Sequence, residues 1–162
     1  MSRRSRAREI VLQLLYQDDL NPDAAPAAKE RFLRGRLRDP RLERFAADLL
    51  AGVRTKRAEL DKLIASTAEN WRIERMPPID RNVLRLGAYE LLFTDVPPKA
   101  AVNEAVDLAK RYGGAHSGQF VNGILDRLIP PAPPPTPATP PAGAETRPTG
   151  EPSNSTTADA EP

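Results

Sequence analysis

Four of the chain's nine glycines fall within the stretch RYGGAHSGQFVNG at residues 111–123, and glycine-rich loops commonly hold phosphate groups. Gly113 and Gly118 have the spacing of a nucleotide-binding P-loop. The lysine and the hydroxyl residue that should follow are replaced by Gln119 and Phe120, and the preceding segment has the pattern of a helix rather than a strand. The sequence therefore excludes a nucleotide-binding P-loop.

The same glycines predict a tight junction between two helices. Gly113 fits the position after a helix where φ is positive, and Ser117 fits the N-cap of the next helix. A helix N-terminus directs free N–H groups towards an anion, and Lys110 and Arg111 lie one turn before the bend, with Gln119 just after it. This pattern favours contact with a single phosphate of a nucleic-acid backbone, while a plain tight turn is the alternative.

The residues that could support catalysis or metal binding have no suitable partners. The chain has one histidine, His116, and no cysteine. Glu104 and Asp107 share one side of a predicted helix, and surface ion pairing explains them better than acid–base catalysis. We therefore expect a protein that is not an enzyme and that holds no metal or cofactor. The absence of cysteine fits a reducing compartment, and we expect the protein in the cytoplasm.

The N-terminus is strongly basic. Arg3, Arg4, Arg6 and Arg8 all precede the first acid, Glu9, and they lie at the start of a predicted helix. The helix dipole disfavours cations there, so phosphate groups of a nucleic acid would favour them. A solvated basic end is the alternative.

Composition divides the chain into two parts. Residues 130–162 hold eleven of the eighteen prolines and no large hydrophobic residue, which predicts a disordered Pro/Ala/Thr-rich tail. The whole chain carries a net charge of +2, and the tail has one arginine against four acids, which leaves +5 on residues 1–129. We expect one helical domain over 1–129, with no membrane-spanning segment.

Apolar residues recur at helical spacing through this domain, and no alternating strand pattern interrupts them. We predict an all-α fold of about seven helices. In the first, Ala7, Val11 and Leu15 form the apolar stripe and Glu9 lies on the opposite side. The remaining helices begin near Pro26, Pro40, Thr55, Asp80, Pro98 and Ser117.

Two residues of the fifth predicted helix have particular roles. Asp80 is the expected N-cap, since aspartate side chains accept hydrogen bonds from the first turn of a helix. Gly87 lies within the helix, where glycine costs roughly 1 kcal/mol relative to alanine, so a close helix crossing is its expected use.

Several blocks together resemble the NusB family of bacterial transcription antitermination factors. The resemblance covers the whole helical domain in the family's order, and the NEAVDLAK and FVNGILD segments are quite specific to it. The blocks are RRSRAREIVLQLLYQ at 3–17, LLAGV at 49–53, NWRIERMPPIDRNVLRLGAYELL at 70–92, PPKAAVNEAVDLAKRYG at 97–113 and FVNGILDRL at 120–128.

This resemblance implies a fold of two packed helical subdomains and a function without catalysis. It implies binding of the boxA sequence of nascent ribosomal RNA together with NusE, a protein of the small ribosomal subunit. It also implies action on the RNA polymerase elongation complex with NusA and NusG.

The resemblance further implies which residues contact each partner. Tyr16 and Asp80 correspond to the NusE-facing surface. Phe120 either stacks on a base or belongs to the core. The residues expected on the RNA-facing side, from the residue pattern and the resemblance together, are Arg3, Arg4, Arg6, Arg8, Lys110, Arg111, Ser117, Gln119 and Phe120.

Two other functions remain open at this point. NusB-like domains also precede the catalytic domain of some ribosomal RNA methyltransferases, although this chain lacks the nucleophilic cysteine that such a domain needs. The chain could also be a helical protein-interaction module whose basic residues are only solvated. The sequence does not establish whether the free protein is a monomer or a homodimer.

Overall fold

The computed structural model describes residues 2–23 and 26–131 of the chain, and the greater part of the predicted disordered tail lies outside them. Within these ranges the protein has seven α-helices, one 3-10 helix over Ile73–Arg75 and no strand, which confirms the predicted all-α fold. The α-helices are α1 Arg3–Leu20, α2 Pro26–Leu37, α3 Pro40–Thr55, α4 Arg57–Thr67, α5 Pro78–Phe93, α6 Pro98–Tyr112 and α7 Ser117–Leu128.

The helices form two groups around one hydrophobic core. Helices α1, α2 and α3 pack on one another, and α5, α6 and α7 pack on one another. Helix α5 also contacts α1, α3 and α4, so it joins the two groups. Its central position agrees with its composition, because ten of its sixteen residues are buried.

Gly87 allows α5 to approach both of its later neighbours closely. A Cβ atom at Gly87 would lie 2.7 Å from Leu125 Cδ1 on α7 and 2.9 Å from Ala105 Cβ on α6. Both distances are shorter than ordinary van der Waals contacts, so the prediction of a close helix crossing at this residue is confirmed.

Helix α1 is more deeply buried than its sequence pattern predicts. Every residue from Ala7 to Leu12 is buried, including Arg8 and Glu9. The prediction of a polar side that carries Glu9 is wrong, because the N-terminal half of α1 meets charged partners on other helices as well as apolar ones. Buried charges in proteins are paired or hydrogen-bonded, and these two follow that rule.

The C-terminal end of α1 is held by a group of ion pairs around Asp19, whose side chain is 3% exposed. Asp19 Oδ2 accepts hydrogen bonds from Arg81 Nε at 2.8 Å and from Asn82 Nδ2 at 2.9 Å. Arg85 Nη1 lies 3.1 Å from Asp19 Oδ1, and Arg85 Nε donates to Asp61 Oδ1 at 2.6 Å. These contacts connect α1, α4 and α5.

Asp80 does not cap α5, which corrects the predicted role. The helix begins two residues earlier, at Pro78, and Pro77 occupies the N-cap position. Asp80 is buried in the first turn, and its Oδ1 atom has no hydrogen-bond partner in the structure. Its negative charge near a helix N-terminus is favourable for the helix dipole.

Candidate nucleic-acid interface

The first turn of α1 carries three exposed arginines. Ser2 caps the helix by accepting a hydrogen bond from Ser5 N at 3.0 Å, which fixes the direction in which the chain enters. The Arg3 side chain is 85% exposed, and its guanidinium lies 3.8 Å from Asp39. The Arg4 guanidinium lies 4.9 Å from the centre of the Phe45 ring. Arg3, Arg4 and Arg6 therefore present positive charge at one end of α1.

Arg8, the fourth predicted phosphate contact, lies inside the protein. It is 5% exposed, and its Nε and Nη2 atoms each donate to the Glu90 carboxylate at 2.7 Å. Its Nη1 atom lies 3.6 Å from Glu104 Oε1. Because its guanidinium is buried against two acids of α5 and α6, we remove Arg8 from the predicted RNA-contacting residues and assign it a role in the fold.

Glu9 joins the basic end of α1 to the end of α6. Its Oε2 atom accepts from Arg6 Nη1 at 2.8 Å, and its Oε1 atom accepts from Arg111 Nη1. The Glu9 side chain is 2% exposed, whereas those of Arg6 and Arg111 are 48% and 50% exposed. One buried carboxylate thus holds two half-exposed guanidinium groups from segments that are about a hundred residues apart in sequence.

The electrostatics of this contact stabilise the charged form of Glu9. Burial by itself raises the pKa of the Glu9 carboxyl, but hydrogen bonds from Arg6 and Arg111 outweigh it, so the pKa lies below its usual value. The Arg111 guanidinium has a pKa above its usual value because of its hydrogen bond to Glu9. Both groups are charged at neutral pH.

The junction between α6 and α7 is tight, but its glycine and serine differ from the prediction. Gly113 has φ −91°, so the predicted positive φ is wrong. The reason for a glycine here is steric, because a Cβ atom at residue 113 would lie 2.5 Å from Ser117 Oγ and 2.6 Å from Ala109 O. A side chain at this position would not fit.

Ser117 is not the N-cap of α7 but its first residue, and His116 occupies the cap position. The Ser117 hydroxyl is turned back into the junction, where it accepts a hydrogen bond from Gly114 N at 2.9 Å. Since Ser117 is buried, we also remove it from the RNA-contacting residues.

Lys110 and Gln119 are both exposed on either side of this junction. The side chain of Lys110 packs against α7 at Gly118, where an added Cβ would lie 2.8 Å from Lys110 Cγ. Gly118 therefore leaves room for the aliphatic part of the Lys110 side chain to pack against α7. Ser5, Glu9, Lys110 and Arg111 line one cavity of about 430 Å³ between α1 and α6.

Phe120 is half-buried and packs against the core, and it also touches an exposed aromatic residue. Its ring centre lies 5.6 Å from that of Trp71, with the two planes at 67° in an edge-to-face arrangement. Neither Trp71 nor Glu9 is among the site residues predicted from the sequence. The exposed neighbour of Phe120 and the distant partner of Arg111 are properties of the tertiary structure that no local spacing indicates.

Tyr16 lies beside an apolar groove on another part of the surface. The groove has a volume of about 300 Å³, and its apolar lining includes Leu12, Leu20, Ile79 and Tyr112. Leu20 is 63% exposed and Tyr112 is 38% exposed. Asp80, which was predicted to lie on the same NusE-facing surface, follows Ile79 in sequence but is buried. Its side chain is therefore not available to contact a partner protein.

Two features of the described residues concern metal binding and membrane insertion. No group of three or more histidines, cysteines or acids in residues 2–23 and 26–131 is placed to hold a metal ion. Among the helices of those same ranges, none combines the length and apolar character needed to cross a membrane.

Comparison with known proteins identifies relatives along almost the whole helical body. The transcription antitermination protein NusB of Anaeromyxobacter dehalogenans is 46% identical over 138 residues, which cover 81% of this chain and 95% of that protein. The solved structure of T. maritima NusB is 39% identical with a TM-score of 0.70, covering 79% of this chain and 90% of that chain. A structure of the antitermination factors NusB and NusE in complex with double-stranded RNA is 27% identical with a TM-score of 0.69, covering 79% and 96%.

The same part of the chain also matches the sequence pattern of a protein family. The model described as the NusB family matches residues 5–130, which include α1 to α7 almost completely. The family match, the sequence identity and the shared fold agree, and the chain belongs to the NusB family.

Proposed function

We propose that this protein is a transcription antitermination factor that binds boxA RNA of nascent ribosomal RNA transcripts together with NusE. The observation that carries the proposal is the contact of Arg6 and Arg111 with Glu9, which brings the basic end of α1 to the α6–α7 junction. The exposed cations of this RNA-facing surface are Arg3, Arg4, Arg6, Lys110 and Arg111. Five cations on one surface suit a polyanion, because each phosphate contact releases counterions from the RNA.

Relatives support the identity of the partners. The structure of NusB and NusE with RNA is a close match in fold to this chain, at a TM-score of 0.69. We assign the groove beside Tyr16 to NusE, since an apolar groove that includes the exposed ring of Tyr112 is typical of a protein interface. In this proposal the assembled complex acts without catalysis on the RNA polymerase elongation complex with NusA and NusG, in the cytoplasm.

The first experiment measures binding of a fluorescent boxA RNA and a scrambled RNA, with and without NusE, at several salt concentrations. We expect selective binding that tightens with NusE. If all five cations contact phosphates, the logarithm of the association constant should fall with the logarithm of salt at a slope of about −3.5 for a single strand. Equal weak binding to both RNAs with a flat salt response would contradict the proposal and favour a protein-interaction module.

A homodimer is the second assembly to measure. If the RNA-facing surface of each copy were buried in the interface of a homodimer, the apparent affinity for RNA would fall as the protein concentration rises. Sedimentation velocity of the free protein over a range of concentrations tests this directly. A single monomer species throughout would exclude it.

A further inference from the structure

Trp71 is an exposed aromatic residue with no role in the function described so far. It is 54% exposed, although tryptophan usually buries most of its large apolar surface. It is also the only tryptophan in the chain. Its ring lies edge-to-face against Phe120, which the sequence predicts among the RNA-contacting residues.

The segment that carries Trp71 is held in place from both sides. Trp71 N donates to Ala68 O at 3.0 Å, which continues the end of α4. The following 3-10 turn is anchored by Ile73 and Met76, which are 7% and 2% exposed. Arg127 Nη1 of α7 donates to Thr67 O at 3.3 Å, which ties α7 to the same place. The indole is therefore presented by a fixed backbone.

An open recess of about 650 Å³ lies along the indole, a volume within the roughly 300–1,000 Å³ range of sites for small molecules. Ala65, Ala68 and Ile73 line it with apolar surface, and its polar lining residues are Glu69, Asn70, Arg72 and Glu74. The two carboxylates repel phosphate, but they accept hydrogen bonds from the amino groups of bases. An aromatic face with an amide, two carboxylates and the Arg72 guanidinium nearby offers a nucleobase both hydrogen-bond acceptors and hydrogen-bond donors.

We propose that Trp71 stacks on an unpaired base of single-stranded RNA and extends the RNA-facing surface beyond Phe120. This inference rests on the proposed RNA-binding function and adds a contact of a different kind. The cations of α1 and α6 attract the backbone, whereas stacking on Trp71 requires a free base, because the bases of a duplex are already stacked on each other.

Because Trp71 is the only tryptophan, its own fluorescence reports the contact in the unmodified full-length chain. We titrate the protein with unlabelled single-stranded boxA RNA and follow tryptophan emission. Binding is measured independently by the anisotropy of a labelled copy of the same RNA. We expect quenching that saturates at the concentration given by anisotropy, and little quenching by a duplex of the same sequence.

Substitutions test the energetic contribution. Trp71→Ala should weaken binding of the single strand by roughly 5- to 150-fold, the range for loss of one stacked base. The slope of affinity against salt should not change, since no phosphate contact is lost. Trp71→Phe should restore most of the affinity because it keeps an aromatic face. Phe93→Ala removes another partly exposed ring, one outside the RNA-facing surface, and should leave RNA affinity unchanged.

The outcomes separate this inference from the proposed function. Selective RNA binding by anisotropy, with unchanged emission and normal affinity of Trp71→Ala, would overturn the stacking contact and leave the function intact. Quenching that appears only when NusE is added, without RNA, would assign Trp71 to a protein contact and also overturn it. Failure of the chain to bind RNA at all would overturn both.

Discussion

Arg6 and Arg8 are two positions apart on α1, yet the structure gives them different roles. Arg6 is half-exposed and is held at the surface by Glu9, whereas Arg8 is buried in a two-bond pair with Glu90. This difference leads to opposite expectations for RNA affinity and for stability.

Arg6→Ala should weaken RNA binding, because one phosphate contact is lost, and the salt slope should become less steep by about 0.7. Its free energy of unfolding should fall because buried Glu9 loses one hydrogen bond, but the loss should be smaller than for Arg8→Ala, since Arg111 still pairs with Glu9. Arg8→Ala should lower the free energy of unfolding by about 3–5 kcal/mol, because it leaves Glu90 buried and unpaired. Denaturant unfolding and RNA titration of both variants measure the two effects. If Arg8→Ala kept full stability and lost RNA affinity, our assignment of Arg8 to the fold would be wrong.

The structure also shows which residue roles a sequence can indicate. Exposure of Arg3, Arg4 and Lys110 agrees with the general preference of charged side chains for the surface. The burial of Arg8, Glu9 and Ser117 depends on partners that only folding brings close, such as Glu90, which is 82 positions from Arg8. Sequence spacing contains no information about such pairs, so these roles could not be predicted.

At the scale of helices, apolar periodicity predicted all seven elements, because helix formation depends on residues three and four positions apart. The detail of the helix ends was less predictable. At α5 the N-cap residue is Pro77 and not Asp80, because the helix begins at Pro78 and proline is well suited to the first position of a helix. The crossing at Gly87 was predictable because a glycine inside a helix needs a compensating contact.

The Gly87 crossing gives a prediction with a matched control. Gly87→Ala places a methyl group within 3 Å of Leu125 and Ala105, and the resulting overpacking should cost about 1–3 kcal/mol. Gly35→Ala is also within a helix but meets no atom within 4 Å, so it should stabilise the protein by about 0.5–1 kcal/mol. Thermal unfolding of both variants measures the difference. Equal shifts of the two melting temperatures would show that the crossing is not tight.

The ion pairs around Asp19 predict how stability depends on pH. Burial raises the pKa of Asp19, but the hydrogen bond from Asn82 and the charges of Arg85 and Arg81 outweigh it, so the pKa lies below 3.8. The stabilisation is therefore complete above about pH 3.8 and is lost as pH falls through the lower pKa of the folded state.

Asp19→Asn should lower the free energy of unfolding at pH 7 by about 1.5–3 kcal/mol, since Arg81 loses its carboxylate and Arg85 keeps only that of Asp61. The difference from the natural chain should shrink as the pH falls below 3.8. Urea unfolding at pH 3 and pH 7 measures both values. Asp126→Asn removes an exposed aspartate of α7 and serves as the control. A difference that is the same at both pH values would contradict the assignment to Asp19.

For the whole molecule, charge is divided between residues 1–129 at +5 and residues 130–162 at −3. The net negative charge of residues 130–162 opposes the attraction of the whole chain to RNA. A chain that ends at Pro131 should therefore bind RNA several-fold more tightly at low salt, and screening should remove the difference at high salt. Titrations of both chains at two salt concentrations measure this. A difference that persists at high salt would show a contribution other than charge.

The pairing of Arg8 with Glu90 also has a consequence for the order in which the chain is made. Helix α1 is synthesised before α5 and α6, and the acids that accept the Arg8 guanidinium, Glu90 and Glu104, follow Arg8 by 82 or more residues. A charged group cannot enter an apolar interior before its partner arrives. We therefore expect the Arg8 guanidinium to stay hydrated until Glu90 and Glu104 have been synthesised, and burial of this part of α1 to follow the formation of α5 and α6.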